Sequence, residues 1–108
     1  MGTAAGEAMS VPVVYLRQAT ADIESSHDEY EQQQPGLGDR FVDAVTDQVA
    51  VICANPKLYG VFRGRVRAAS VNGFPHVVYY RDRGTDMLIV AVQHGHRSSR
   101  NWIRRKAP

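Results

Sequence analysis

The stretch LGDRFVDAVTDQVAVICA, residues 37 to 54, has the clearest helical pattern in the sequence. Its apolar side chains recur with the period of an α-helix and share one broad arc, made up of Leu37, Phe41, Ala44, Val45, Val49, Val51 and Ile52. Asp39, Asp43 and Asp47 form a row on the opposite side, which indicates a solvated face more than a cation site. The stretch therefore predicts an amphipathic helix packed against a core.

A second helix is predicted immediately before this one. Thr20 is the expected N-cap, and the acidic residue Asp22 suits the positive end of a helix that runs to about Gln34. Pro35-Gly36 then breaks the pattern. Two helices joined by such a short turn predict an antiparallel helical hairpin.

After the helices the hydrophobic period changes to two, which is typical of strands. Phe62 to Ala69 is predicted to be one strand, with three guanidinium groups on one of its faces, those of Arg63, Arg65 and Arg67. His76 to Arg81 and Met87 to His94 are predicted to be two further strands joined by a hairpin loop. The last one is apolar on both faces, as expected of a central strand covered on both sides.

Val11 to Leu16 is apolar and β-branched and predicts a strand ahead of the helices, with Pro12 indicating a sheet edge. The predicted class is therefore α+β: an N-terminal strand, an antiparallel helical hairpin, and a three-stranded antiparallel segment that completes one sheet. The helices are expected on one face of this mainly antiparallel sheet. Residues 1–10 are predicted to be a flexible leader, and residues 11–108 one domain with a basic C-terminal tail.

The composition supports one small globular domain. The chain has 108 residues, of which 44% are hydrophobic, and a net charge of +2. No apolar run approaches the roughly 20 residues that span a bilayer, and no secretory signal is apparent, so a cytoplasmic location is expected. Cys53 is the single cysteine, which excludes an internal disulfide and a cysteine-rich zinc site.

The charges are distributed unevenly along the chain. Residues 1–54 carry nine acidic and two basic side chains, a net of −7, whereas residues 55–108 carry eleven basic and two acidic ones, a net of +9. A basic half of this kind indicates a polyanion or an acidic protein as partner. The alternative is that the two halves pack together and neutralise each other.

The arginines of the predicted strand are the first candidate binding residues. Arg63, Arg65 and Arg67 would repel one another on a shared face, and phosphate or an acidic peptide would relieve that repulsion. Arg81 and Arg100 are assigned the same binding role. The alternative is a solvated strand face, partly paired with the acidic helices.

The histidines are the candidates for catalysis. His94 lies at the end of the last strand, where it would act as a general acid or base, with Arg97 stabilising developing negative charge. His76 precedes Val77 and is a second candidate. A capping hydrogen bond at a strand end is the structural alternative for His94. His94 and His96 have spacing suited to a metal but lack a third ligand, so neither metal nor other cofactor is predicted.

Five short sequence motifs, taken in their order along the chain, resemble the RelE/ParE toxin superfamily over about residues 11 to 102. They are Ala21-Asp22-Ile23, Pro35-Gly36-Leu37-Gly38 before Phe41, Asn55-Pro56, Gly73 to Tyr80, and Ala91 to Arg97. The resemblance implies a small α+β toxin of a type II toxin–antitoxin pair, neutralised by a cognate, ParD-like antitoxin with an acidic segment. One branch of the family cleaves mRNA on the ribosome, and the ParE branch inhibits DNA gyrase.

The resemblance also separates these two branches. Arg65, Arg67 and Arg97 fall about where the ribonuclease branch has basic residues, but His76, preceded by Pro75, stands where that branch has an arginine. The expected function is therefore growth arrest through gyrase. The alternatives are a ribosome-dependent endoribonuclease that uses His76, His94 and Arg97, and a non-toxic basic domain that binds nucleic acid.

Overall fold

The computed structural model describes residues 11–95 and 102–106. Two helices and five strands follow one another in the order β1 (Val13–Tyr15), α1 (Arg17–Gln33), α2 (Leu37–Ala54), β2 (Val61–Arg63), β3 (Val66–Ser70), β4 (His76–Asp82) and β5 (Met87–His94). The α+β class and the helical hairpin are confirmed. The predicted leader, residues 1–10, lies outside the described residues.

The five strands form one mixed sheet with the order β1-β5-β4-β3-β2. β1 pairs with β5 in parallel, with Val13 opposite Met87, while all other neighbours are antiparallel. The chain thus returns from β4 through a hairpin to place β5 in the interior of the sheet, beside the N-terminal strand. The predicted sheet edge at Pro12 is confirmed, since β1 is an outer strand.

Helix α2 has the predicted bounds, and its apolar arc forms the helical side of the core. Phe41, Val45 and Ile52 are almost completely buried, whereas Val51, at the margin of the arc, is 39% exposed. Helix α1 begins at Arg17, three residues before the predicted cap at Thr20. The buried Leu16 occupies the N-cap position, and its carbonyl oxygen accepts hydrogen bonds from the amides of Ala19 and Thr20. Burial of Leu16, and not a side-chain cap, therefore fixes the start of the helix.

The predicted strand Phe62 to Ala69 was wrong, because a tight turn divides it. β2 ends at Arg63, β3 begins at Val66, and these two residues are paired across the turn. Gly64 has a φ of +56°, a left-handed conformation that glycine adopts at little steric cost. The alternation in the sequence passes through this glycine without interruption, so the pattern predicted three strands after the helices. The turn at Gly64 makes them four.

The core lies between the helices and the sheet, and a second apolar layer covers the opposite face. The side chains of Val78 and Tyr80 are fully buried, and the Tyr80 hydroxyl donates to the carbonyl oxygen of Pro56 after α2 (2.7 Å). Tyr79 points to the opposite face, where its ring lies 4.2 Å from that of Trp102. Both faces of β5 are covered, and Met87 to Val92 is buried throughout, as predicted. Within the described segments, neither helix has the length and apolar character needed to cross a membrane.

Candidate functional site

The two candidate histidines are brought together at one end of the sheet. His76 begins β4, His94 ends β5, and the two are direct cross-strand partners. Their ring centroids lie 5.8 Å apart. Each histidine was predicted to lie at the end of a strand, and the antiparallel register of β4 and β5 brings these two strand ends together. We call these two residues the histidine pair.

His76 is packed among aromatic rings. It is 7% exposed, and its ring centroid lies 4.7 Å from that of Phe41 and 5.8 Å from that of Tyr30. The Ser26 hydroxyl on α1 lies 3.2 Å from Nε2 of His76, within hydrogen-bonding distance. These contacts hold the imidazole in the core between the helices and the sheet, which is the environment of a structural histidine more than of a general base in contact with solvent.

A polar cleft of about 500 Å³ lies beside the histidine pair, between α1 and the ends of β4 and β5. Its wall on α1 includes Asp22, Ser26 and Glu29, and the histidine pair lines the sheet side. The described part of this lining includes two carboxylates, those of Asp22 and Glu29, and the carboxylate of Asp22 is paired with Arg105.

Asp22 has a structural role that the sequence did not indicate. Its carboxylate accepts the amide of Val92 (3.1 Å) and two guanidinium N–H groups of Arg105 (2.7 and 3.1 Å). Arg105 also donates to the carbonyl oxygen of Val90 (3.0 Å). Because β1 ends opposite Ile89, these two side chains satisfy the backbone of β5 beyond the last β1 pairing. Sequence analysis treated Asp22 as a helix-dipole residue and Arg105 as part of a basic tail.

The second candidate site is the arginine hairpin, residues 61 to 67. Arg63 and Arg65 are exposed at its tip, at the end of β2 and in the turn. Arg67 lies on β3 and its Nη1 donates to the carbonyl oxygen of Tyr59 (2.6 Å), so it fastens the loop before β2 to the sheet. The prediction that all three guanidinium groups share a strand face was wrong, because the turn at Gly64 separates them.

Apolar side chains surround these arginines. Val61 is 58% exposed, Phe62 is 45% exposed, and Leu58 in the preceding loop is 64% exposed. The Phe62 ring also contacts Tyr79 and Trp102, with centroids at 5.0 and 5.6 Å. β2 is an outer strand of the described sheet. The arginine hairpin therefore presents charge and apolar area together at a sheet edge, a combination typical of protein-binding surfaces.

The histidine pair and the arginine hairpin lie at opposite ends of the sheet. Arg67 is paired with Tyr80, four residues along β4 from His76, which corresponds to about 13 Å at roughly 3.3 Å per residue. Arg65 lies beyond Arg67, in the turn. Arg81, the neighbour of Tyr80, is half-buried and paired with Leu88. Arg97 and Arg100 lie outside the described residues.

The remaining candidates show no activated chemistry. Asp39, Asp43 and Asp47 are all exposed, as predicted for a solvated face. Cys53 is half-buried, and burial raises the pKa of its thiol, which disfavours the reactive thiolate. Burial likewise raises the pKa of the Tyr80 hydroxyl, which already donates to Pro56.

Comparisons with known proteins agree with this architecture. The family model described as ParE toxin of type II toxin–antitoxin system, parDE, matches residues 13–99. A solved structure described as the chromosomal ParDE TA system from P. aeruginosa is similar, with a TM-score of 0.69 and 19% sequence identity, over 80% of this chain and 97% of that one. No curated protein matches. The family match covers both helices and all five described strands, and the chain belongs to the ParE toxin family of type II toxin–antitoxin systems.

Proposed function

We propose that this ParE-type toxin arrests growth in the cytoplasm by inhibiting DNA gyrase, and that a cognate antitoxin neutralises it. The observation that carries the proposal is the separation of the two candidate sites: His76 is packed into the core with the half-buried His94 beside it, and Arg63 and Arg65 are exposed about 13 Å or more away along the sheet. Such an arrangement favours binding to a protein target over acid–base catalysis.

Cleavage of RNA requires a base and a phosphate-binding cation at one phosphodiester. A general base must lie within hydrogen-bonding distance of the proton it removes, or reach it through one water molecule. Among residues 11–95, Arg65 and Arg67 are too far from His76 and His94 to serve the same phosphate.

The arginine hairpin supplies the elements of a contact surface. Arg63 and Arg65 offer guanidinium groups for carboxylates, and the exposed Phe62 offers apolar area next to them. Arginine and aromatic side chains contribute most of the binding energy in many protein interfaces. Arg67 is already bonded to Tyr59 and acts by holding the hairpin in place.

A supercoiling assay with purified gyrase and relaxed plasmid tests the target. The toxin is titrated as wild type, as the double variant Arg63→Glu/Arg65→Glu, and as the control Arg17→Glu/Arg40→Glu, which makes the same charge change at two exposed helix positions. We expect wild type and control to inhibit supercoiling and accumulate cleaved DNA, and the hairpin variant to be at least about tenfold weaker. A flat response from wild-type protein that still arrests growth would contradict gyrase as the target.

The second candidate, ribosome-dependent mRNA cleavage, is favoured by one observation, the contact of His76 with both Ser26 and His94. Toeprinting of mRNA on translating ribosomes, with wild type and His94→Ala, tests it. Toxin-dependent cuts that disappear in His94→Ala would establish the ribonuclease. Protein that neither arrests growth nor affects either target would support the third candidate, a basic domain that binds nucleic acid.

The same surface is proposed to receive the antitoxin. An acidic antitoxin segment complements Arg63 and Arg65, so affinity is expected to fall as salt concentration rises. Titration calorimetry with the antitoxin encoded beside the toxin measures this for wild type and for both double variants. Equal affinity of the hairpin variant and wild type would show that the antitoxin binds elsewhere, whatever the target.

A further inference from the structure

A third cluster of polar side chains lies at the turn between the two helices. We call it the hairpin cluster and define it as His27, Glu31 and Asp39. His27 and Glu31 are four residues apart on α1 and therefore share a helix face, while Asp39 comes from the first turn of α2. One nitrogen and two carboxylate oxygens of these residues all lie within 4.8 Å of one another.

These spacings are close to those of metal ligands. Two ligand atoms that share one zinc ion, each at about 2.1 Å, lie roughly 2.9 to 4.2 Å apart for angles from 90° upward. Nε2 of His27 lies 2.9 Å from Oδ1 of Asp39, at the lower limit of that range. The ligand atoms are at most 4.8 Å apart, so a side-chain adjustment of about 0.6 Å would bring every spacing into the range for one zinc ion.

Asp28 supplies a feature that a metal-binding histidine needs. Its carboxylate lies 3.1 Å from Nδ1 of His27, the ring nitrogen that faces away from the cluster. Metal-ligating histidines almost always donate this second N–H to a carboxylate, a carbonyl or water, which fixes the ring and leaves the other nitrogen as the ligand. The ring of His27 is thus already oriented, with Nε2 directed towards the two other side chains.

Glu31 is also fixed in position. Its Oε1 accepts the amides of Gly38 and Asp39 (2.8 and 3.2 Å), and its Oε2 accepts the amide of Gly36 (3.1 Å). A carboxylate has about four acceptor positions, so Oε2 retains one lone pair for a further bond. A Cβ at Gly38 would overlap the carbonyl oxygen of His27, so this glycine allows the close approach of the two helices.

We propose that the hairpin cluster binds one divalent transition-metal ion of the zinc type, through Nε2 of His27 and one carboxylate oxygen each of Glu31 and Asp39. The imidazole favours such an ion over Mg²⁺ or Ca²⁺, and the carboxylates of Asp28, Glu31 and Asp39 balance its charge. Water completes the coordination on the solvent side. The ion crosslinks α1 and α2 at their connection, and this role does not depend on the toxin's target.

Titration calorimetry with ZnCl₂ tests the site on the full-length protein. Wild type and the control Asp43→Asn, which removes a carboxylate one turn further along α2, are expected to bind one equivalent of zinc with equal affinity. His27→Ala and Asp39→Asn are expected to bind at least about tenfold more weakly, since each removes a ligand, and Asp28→Asn to lose about tenfold by releasing the ring.

Thermal unfolding gives a second readout, because an ion that binds the folded state raises its midpoint temperature. Saturating zinc is expected to raise the midpoint of wild type and Asp43→Asn but not of Asp39→Asn, and MgCl₂ to have no comparable effect. Circular dichroism of the metal-free variants confirms that each is folded. Unchanged zinc affinity in both His27→Ala and Asp39→Asn, absence of zinc binding by wild type, or an equal response to Mg²⁺ would overturn the proposal.

Discussion

The two ends of the sheet both carry nitrogen-containing basic side chains, but in opposite surroundings. At one end, His76 is enclosed by Phe41, Tyr30 and Ser26. At the other end, Arg63 and Arg65 are exposed beside apolar side chains at the edge of the sheet. His76 is thus part of the packing, whereas Arg63 and Arg65 are accessible and offer charge but no general base. A substitution at the histidine end should change stability, and one at the arginine end should change binding.

The largest effect is expected at His76. His76→Ala removes an imidazole packed among three rings and leaves a cavity, which we expect to lower the free energy of unfolding by about 2 to 4 kcal/mol. Urea denaturation followed by circular dichroism measures it, with the less buried His94→Ala expected to lose about half as much. If His76→Ala kept wild-type stability and lost toxicity, the comparison between the two ends would fail and His76 would be catalytic.

Asp22, on the wall of the same cleft, is expected to have the next largest effect. Asp22→Ala leaves the Val92 amide without its acceptor and Arg105 without its counter-ion, at a cost of about 2 to 3 kcal/mol. Chemical denaturation of this variant is compared with that of Glu24→Ala, an exposed acidic residue on the same helix. Equal losses for the two would show that the Asp22–Arg105 pair contributes no more than a surface charge.

Two arginines of the arginine hairpin should behave differently from each other. Arg67→Ala breaks the bond to the carbonyl oxygen of Tyr59 and is expected to cost about 1 to 2 kcal/mol, whereas Arg65→Ala should change stability by no more than about 0.5 kcal/mol. In the gyrase and antitoxin assays, carried out with both variants folded, Arg65→Ala is expected to lose more inhibition and more affinity than Arg67→Ala. A large stability loss in Arg65→Ala would mean that the tip is structural too.

The smallest effect concerns pH and the turn between β4 and β5, at the same end of the sheet as the arginine hairpin. Hydrogen bonds from Arg83 to Asp86, both 2.6 Å, lower the pKa of the Asp86 carboxyl below its usual value of 3.8. The pair therefore stabilises the fold above pH 3.8, and this contribution is lost as the pH falls through the lowered pKa.

Thermal unfolding of wild type and Asp86→Asn between pH 2 and pH 6 measures that contribution. The difference in midpoint temperature should be constant at the upper end of this range and shrink towards the lower end. A difference independent of pH would show that the ion pair is not its cause. Arg83, engaged by Asp86, is not expected to contribute to target binding.

Secondary structure could be predicted from the sequence wherever one hydrophobic periodicity ran without interruption. The arc from Leu37 to Ile52 placed α2 within its actual bounds, Pro35-Gly36 placed the turn between the helices, and the apolar run of Met87 to Val92 identified the central strand. These features are local, because each residue's face follows from its spacing to its neighbours. The resemblance to the RelE/ParE toxins could be detected for the same reason, because it rests on five short sequence motifs in order along the chain.

Which distant side chains meet depends on the tertiary structure. Ser26 contacts His76 across 50 residues of sequence, and Asp22 contacts Val92 and Arg105 across 70 and 83. The arginines failed as a single face for a related reason: an alternating pattern is the same in a continuous strand and in a hairpin with a glycine turn. Such contacts depend on strand register and on how the helices pack against the sheet, which local spacing does not encode.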